Sequence, residues 1–333
     1  MRNLISIKRA LSIIDGFRKA RVLIVGDLVM DHFIWGRVRR ISPEAPVPVV
    51  EVTSESLLLG GSANVANNIV SLNGRAMVTG VAGSDYDGRK LMASLKEKRI
   101  STEGIVVDKK RPTTIKTRVI AHSQQVVRFD RESRDKIDPL CTSKMLNYIR
   151  KAAKDASVVV ISDYAKGVVT EGLVDETRRV CKRLNKPLLV DPKVEHFDLY
   201  RGVTLVTPNN IEASVASGID IEDEESLRRA GAALLGRLGS SALLITRGEH
   251  GMALFEQAGE THIPTVAKEV FDVSGAGDTV IAALSLAIAS GADFREASVI
   301  ANFAAGVVVG KVGTATLSPQ ELKEAIEAGL RHA

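Results

Sequence analysis

Short runs of apolar, mostly β-branched residues alternate along this chain with longer stretches in which apolar positions recur every three or four residues. The short runs fall at 21–26, 76–81, 157–161, 187–190, 203–206, 241–246 and 252–255. Too brief for helices and apolar on both faces, they predict buried strands of a mostly parallel sheet. Helical spacing covers 1–17, the segment opened by Gly60-Gly61 and closed at Asn73-Gly74, 89–99, 139–154, 170–184, 280–290 and 297–309, and Ser318-Pro-Gln-Glu321 has the cap spacing of a final helix. The expected architecture is α/β, with a mostly parallel central sheet flanked by helices.

Two stretches break the rhythm. In 32–53 three prolines stand among valines, which excludes a central strand and suits extended edge strands that leave the main sheet. In 113–130, apolar and polar residues alternate on either side of His122-Ser-Gln-Gln125, as in a hairpin. Paired together, these strands predict a small β-sheet lid over the strand ends, inserted into a single domain spanning 1–333 without linker or internal repeat. Its exposed edges are natural contacts for a homodimer.

Composition narrows the classes. Hydrophobic residues make up 45% and charged residues 26%, an ordinary globular mixture, and the net charge of +5 suits acidic small molecules. With one Trp, four Tyr and eight Phe the chain has few aromatic platforms for bases, which argues against nucleic acid. Cys141 and Cys181 show neither C-x-x-C spacing nor a metal-ligand partner and suit a reducing compartment. No apolar run reaches the length of a signal or membrane segment, so a cytoplasmic protein without membrane contact is expected.

The candidate chemistry centres on Asp272-Val-Ser-Gly275-Ala276-Gly277-Asp278-Thr279. Glycines flanking a small residue allow a tight turn whose N–H groups point outward at a helix start, an anion site with Asp278 in its first turn. An anion hole beside a carboxylate suits phosphoryl transfer to a hydroxyl. Asp27 and Asp31, just past the first strand, and Gly60, Gly61 and Asn64 are candidates for sugar hydroxyls. Polar residues after later strands, including Asp163, Lys166 and Lys193, converge on the same rim in a parallel sheet, and both lysines are candidates for a substrate phosphate unless they are surface cations. The first strand ends in Gly26-Asp27-Leu28, which lacks the dinucleotide fingerprint and argues against an oxidoreductase.

Taken together, Gly60-Gly61-Ser-Ala-Asn64 through Ala82-Gly83-Ser-Asp85, Asn209-x-x-Glu212, and Asp272 through Asp278 resemble the two signatures of the ribokinase-type (phosphofructokinase-B superfamily) sugar kinases, over nearly the whole chain. Asp31, Trp35-Gly36, Arg40-Ile-Ser-Pro-Glu-Ala-Pro-Val-Pro-Val49, Asp163-Tyr-Ala-Lys166-Gly167 and Asp191-Pro-Lys193 are similar to the D-glycero-β-D-manno-heptose 7-phosphate kinases of lipopolysaccharide synthesis. That resemblance implies a ribokinase-like fold and the cofactors ATP and Mg²⁺. It makes Asp278 the general base, with the N–H groups of Gly275, Ala276 and Gly277 as the anion hole. Asn209 and Glu212 order Mg²⁺ through water, Thr246, Gly248 and Gly251 line the nucleotide phosphates, and Asn302 borders the adenine. Asp31, Gly60, Gly61, Asn64 and Asp163 meet the phosphorylated sugar, and by position Arg128, Lys166 and Lys193 meet its phosphate. Many relatives in that group carry a second, nucleotidyl-transferring domain with an H-x-G-H motif, which does not occur here, so the expectation is a stand-alone kinase. Another kinase of the same fold, for fructose 6-phosphate, ribose or a nucleoside, and a catalytically idle sugar-binding regulator are the alternatives.

Overall fold

The computed structural model describes residues 1–333 except 2, 123, 268, 269, 312 and 333. Among the described residues, thirteen strands form two sheets. β1 (Arg21–Gly26), β4 (Arg75–Gly83), β5 (Ser101–Asp108), β8 (Val158–Ser162), β9 (Leu188–Asp191), β10 (Leu205–Val206), β11 (Ala242–Thr246), β12 (Met252–Glu256) and β13 (Gly259–Ile263) make the large one, in the order β13-β12-β11-β10-β9-β8-β1-β4-β5. From β5 to β11 the pairing is parallel; β12 and β13 are added antiparallel at one edge. The Val-Leu-Ile-Val core of β1 lies inside the sheet between β8 and β4, fully buried on both faces, as its unbroken apolar run requires.

Helices cover both faces. α1 (Ile7–Gly16), α2 (Ser62–Ser71), α3 (Tyr86–Glu97), α8 (Ala276–Ala289), α9 (Phe294–Val308) and α10 (Pro319–His332) contribute to one apolar core. α4 (Pro139–Ala152), α5 (Glu171–Arg183), α6 (Asn210–Ser217) and α7 (Glu224–Leu238) build the other. α8 is buried nearly all round, from Asp278 to Ala287, so its polar N-terminus is held at a fixed place on the sheet rim. Several starts differ from the spacing-based bounds because capping side chains decide them. Ser6 accepts from Arg9 N–H and delays α1 to Ile7, while Asp85 accepts from Gly88 N–H and begins α3 at Tyr86. Asp293 and Glu296 form a reciprocal cap that begins α9 at Phe294. The Ser318–Glu321 cap is present as the spacing predicts.

The small sheet has the order β3-β2-β6-β7, from β2 (Leu28–Ile41), β3 (Pro48–Gly61), β6 (Thr114–Ala121) and β7 (Gln124–Arg131). Its strands outrun the expected 32–53, since β2 starts one residue after β1 ends and β3 runs directly into α2. The sheet is mixed: β2 pairs antiparallel with β3 but parallel with β6. Pro48 begins edge strand β3, and Pro43 and Pro46 fall in the connection before it, where no ladder N–H is needed. Of the hairpin turn between β6 and β7, Ser123 lies outside the described residues.

Candidate active site

The site is assembled around the start of α8. Gly275 caps it at φ 79°, a left-handed conformation, and a Cβ there would sit 2.9 Å from Asn64 Nδ2. Glycine is therefore required twice over. Asp272 shapes the preceding turn by accepting from Ser274 N–H at 2.8 Å and Gly313 N–H at 3.1 Å. The Ala276 N–H is given to the Val273 carbonyl at 3.2 Å, so it is not part of the anion hole expected of residues 275–277. Among the described residues, the N–H groups of Gly275, Gly277 and Asp278 have no protein acceptor. These three donors and the positive helix end make a face suited to an anion.

Asp278 is 4% exposed. One carboxylate oxygen accepts from Asn64 Nδ2 at 2.7 Å and the other from the Tyr164 hydroxyl. Asn64 is itself oriented by Asn68, whose amide donates to the Asn64 carbonyl at 3.0 Å while its oxygen accepts from Thr279 Oγ1, also at 3.0 Å. Burial pushes the Asp278 carboxyl up to about 6, against the two hydrogen bonds that favour the anion. A buried carboxylate poised there is ionised at neutral pH yet basic enough to take a proton.

On the small-sheet side, Asp31 lies within β2 and pairs with Arg118 of β6. Gly60 makes room for it, since a Cβ there would fall 2.3 Å from Asp31 Oδ2. Parallel pairing sets Lys116 opposite Asp31, with its ammonium 5.1 Å from the Tyr164 ring centre. Burial, together with Lys166, Arg128 and Arg118, pulls the Lys116 pKa down, although Asp31 works against the shift. Arg118 and Lys116 were not singled out from sequence.

The cations chosen by position are placed differently. Arg128 stands on β7 and forks onto Asp130, Lys166 pairs with Glu132 at 2.6 Å, and Lys193 donates to Glu212 at 2.7 Å. Arg128 and Lys166 still face the Lys116 cluster, whereas Lys193 belongs with Asn209 and Glu212. The Asp163 carboxylate is occupied by Ala165 N–H, His196 and Tyr200, which removes it as a sugar contact in this conformation. Asp27, too, is committed to the protein, accepting from the N–H groups of Tyr164, Lys166 and Val168.

On the other side of the α8 start lies a cavity of about 570 Å³ bordered by Thr246, Gly248, Gly251, Gly277, Asn302 and Val309. Its lining is largely apolar at the Asn302 end, whose amide donates to Pro264 O at 2.8 Å. Between this cavity and Asp278 is a smaller polar cleft with Asp191, Lys193, Thr207, Asn209 and Glu212. Asn209 and Glu212 form the reciprocal cap of α6. Although burial opposes it, the hydrogen bond and charge of Glu212 raise the Lys193 pKa, and burial drives Asp191 well above the usual carboxylate range. Thus the residues at 209, 212, 246, 248, 251, 277 and 302 line two adjoining clefts that share Thr246 and Gly277. Gly275 and Asp278 stand at the same helix start, Asn64 of α2 bonds Asp278, and Asp31 of β2, with Gly60 beside it, faces Asp278 from the small sheet.

Comparison with known proteins gives the family. Proteins called "Bifunctional protein HldE" are similar at 50% identity over 301 residues in Geobacter sulfurreducens and at 48% over 312 residues in Citrifermentans bemidjiense. These matches cover 90% and 93% of this chain but 61% and 64% of the relatives, so the chain spans under two thirds of their length. Phosphofructokinase-2 from Escherichia coli in complex with substrates and products superposes with a TM-score of 0.79 at 18% identity, covering 93% of this chain and 99% of that one. Arabidopsis thaliana ribokinase complexed with ribose and ATP gives 0.73 at 19% identity, covering 92% and 98%. Both share the fold. A model of the pfkB family carbohydrate kinases matches residues 19–321, and the chain belongs to that family.

Proposed function

We propose that this carbohydrate kinase transfers the γ-phosphoryl group of ATP to O1 of D-glycero-β-D-manno-heptose 7-phosphate, giving the 1,7-bisphosphate in ADP-heptose and lipopolysaccharide-core synthesis. The observation that carries the reading is Asp278, buried at a helix N-terminus between a nucleotide-sized cavity and a cation-rich sheet. The flap and the Asp163–Gly167 and Asp191–Lys193 segments support the heptose, and the HldE relatives are consistent with it.

In this mechanism Asn302 would border the adenine, and Thr246 and Gly248 would hold the phosphates. Asp278 would take the proton of the sugar hydroxyl as that oxygen bonds to the γ-phosphorus and the bond from phosphorus to the β,γ-bridging oxygen breaks, releasing ADP, while the Gly275, Gly277 and Asp278 N–H groups would hold the growing charge. Asp31, Gly60 and Asn64 orient the sugar. Lys116 and Arg118, with Arg128 and Lys166 behind them, meet the 7-phosphate, and Lys193 takes the nucleotide side.

The residues present fit Mg²⁺ held through water. Both Glu212 oxygens are engaged, by Asn209 N–H at 3.0 Å and Lys193 Nζ at 2.7 Å, and among the described residues no three His, Cys, Asp or Glu side chains are placed to ligate a metal directly. When bound, the ion would neutralise phosphate charge, and Asn209 and Glu212 would order its waters.

The exposed face of the small sheet, with Val127 and Phe129 on β7, suits a homodimer through that sheet. No helix among the described residues is long and apolar enough to cross a membrane, and a cytoplasmic site of action fits nucleotide-dependent chemistry. The test is ADP release with Mg²⁺ and ATP, offering heptose 7-phosphate, fructose 6-phosphate, ribose and adenosine in parallel. Turnover with heptose 7-phosphate alone supports the reading. Turnover with another acceptor alone replaces the substrate, and no turnover with any of them favours a regulator.

A further inference from the structure

The turn after β8 is built at a cost that the strand ends alone do not explain. Ala165 sits at φ 52°, a left-handed conformation that residues with a Cβ adopt at a steric cost. It is held there from two sides. The Asp27 carboxylate, 1% exposed, accepts from the N–H groups of Tyr164 at 2.8 Å and of Lys166 and Val168, both at 3.2 Å. Asp163, also 1% exposed, accepts from Ala165 N–H at 2.7 Å and is fixed behind by His196 and Tyr200. Two buried carboxylates are thus spent on one turn, and what that turn presents to the groove is the side chain of Tyr164.

Its hydroxyl reaches Asp278 Oδ1, while Asn64 holds Oδ2. The ring lies between two cations, with Lys116 Nζ 5.1 Å from its centre on the small-sheet side and Lys193 Nζ at 5.8 Å on the nucleotide side. We propose that Tyr164 is a positioning residue for Asp278. Together with Asn64 it fixes the carboxylate by both oxygens, so that one of the two remaining lone pairs points to the acceptor hydroxyl, and its ring keeps the two cations apart.

The proposal rests on the reading of Asp278 as the base. The charged and titratable groups facing Asp278 are Tyr164, Asp191 from the end of β9, Asp31 from β2 and Lys116 from β6. Burial holds the Tyr164 phenol well above its usual range, so it remains a donor throughout the working pH. The Tyr164→Phe variant keeps the ring and removes only the donor. With whichever sugar the protein phosphorylates, the acid limb of kcat/KM should then move upward by ~1 pH unit, because a hydrogen bond that favoured the anion is gone. At pH 8, kcat should fall on the order of tenfold, with KM for ATP within about twofold.

A limb and kcat that stay in place overturn the proposal, as does a loss of kcat without any shift of the limb, which is all a structural role would give. Should Tyr164→Phe not fold, 3,5-difluorotyrosine at 164 supplies a stronger donor and must move the limb downward; an unmoved limb there overturns the proposal as well. Asp278→Asn, assayed alongside, separates the two readings. If it is inactive while the Tyr164 variants leave the limb in place, only the positioning role fails; if it is fully active, the base assignment fails with it.

Discussion

Asn64 on α2 and Asp278 on α8, 214 positions apart in the chain, meet through a 2.7 Å hydrogen bond. The contact joins the two glycine-rich segments into one site and holds the carboxylate where the anion hole begins. Asp278→Asn preserves the shape and removes the base. It should lower kcat by at least ~10² and leave ATP affinity largely intact, since general-base catalysis contributes ~10²–10⁴. Steady-state kinetics with ATP titration checks this, and near-normal turnover would remove Asp278 from the role.

The same carboxyl sets a pH dependence. With Asp278 pushed up to about 6, kcat/KM should fall as the pH drops through about 6. For folding the sign is opposite. A carboxyl raised in the folded state stabilises most below its unfolded value, and that contribution is lost as the pH rises through about 6. The shift from 3.8 to about 6 corresponds to at most roughly 3 kcal/mol. Asp278→Asn should therefore be more stable than the parent at pH 7, with the difference shrinking toward pH 4. Denaturant melts at the two pH values would show a difference independent of pH if the carboxyl were solvated.

Gly275→Ala places a Cβ 2.9 Å from Asn64 Nδ2 and forces alanine to φ 79°. We expect a loss of about 1–2 kcal/mol in stability and a fall in kcat larger than any change in the ATP KM. Equal activity of the two proteins would mean that the α8 start tolerates a different backbone.

Lys116→Gln or Arg118→Gln should raise KM for the phosphorylated sugar by on the order of tenfold while the ATP KM stays within about twofold, because a charge-assisted hydrogen bond contributes ~1.5–3 kcal/mol. Equal effects on both substrates would show that the small sheet supports the fold without reading the sugar.

Much of this was legible in the order of residues. The Val-rich run of β1 needs burial on both faces, and the Gly275-Ala-Gly277-Asp278 spacing marks a tight turn into a helix, which is where α8 begins. What escaped was set by registry and by single backbone angles. Nothing local to Lys116 says that β6 runs parallel to β2 and brings it opposite Asp31; alternation gives a face, not a partner strand. Tyr164 is aimed by a positive φ at Ala165, where composition would have placed glycine. Arg128 was chosen for its charge and the rim it occupies, but its own face of β7 supplies Asp130 to hold it. α7 was overlooked although Leu227, Leu234 and Leu238 recur at helical spacing behind an Asp223 cap.

Asp27 stands where β1 ends and β2 begins, and its carbonyl accepts from Ser62 N–H at 3.0 Å, where β3 enters α2. Two of the crossings between the sheets thus share one joint, and the side chain of that joint grips the turn bearing Tyr164. On the proposed reading, the wall that meets the sugar and the turn that orients Asp278 are therefore joined through the backbone and side chain of a single residue.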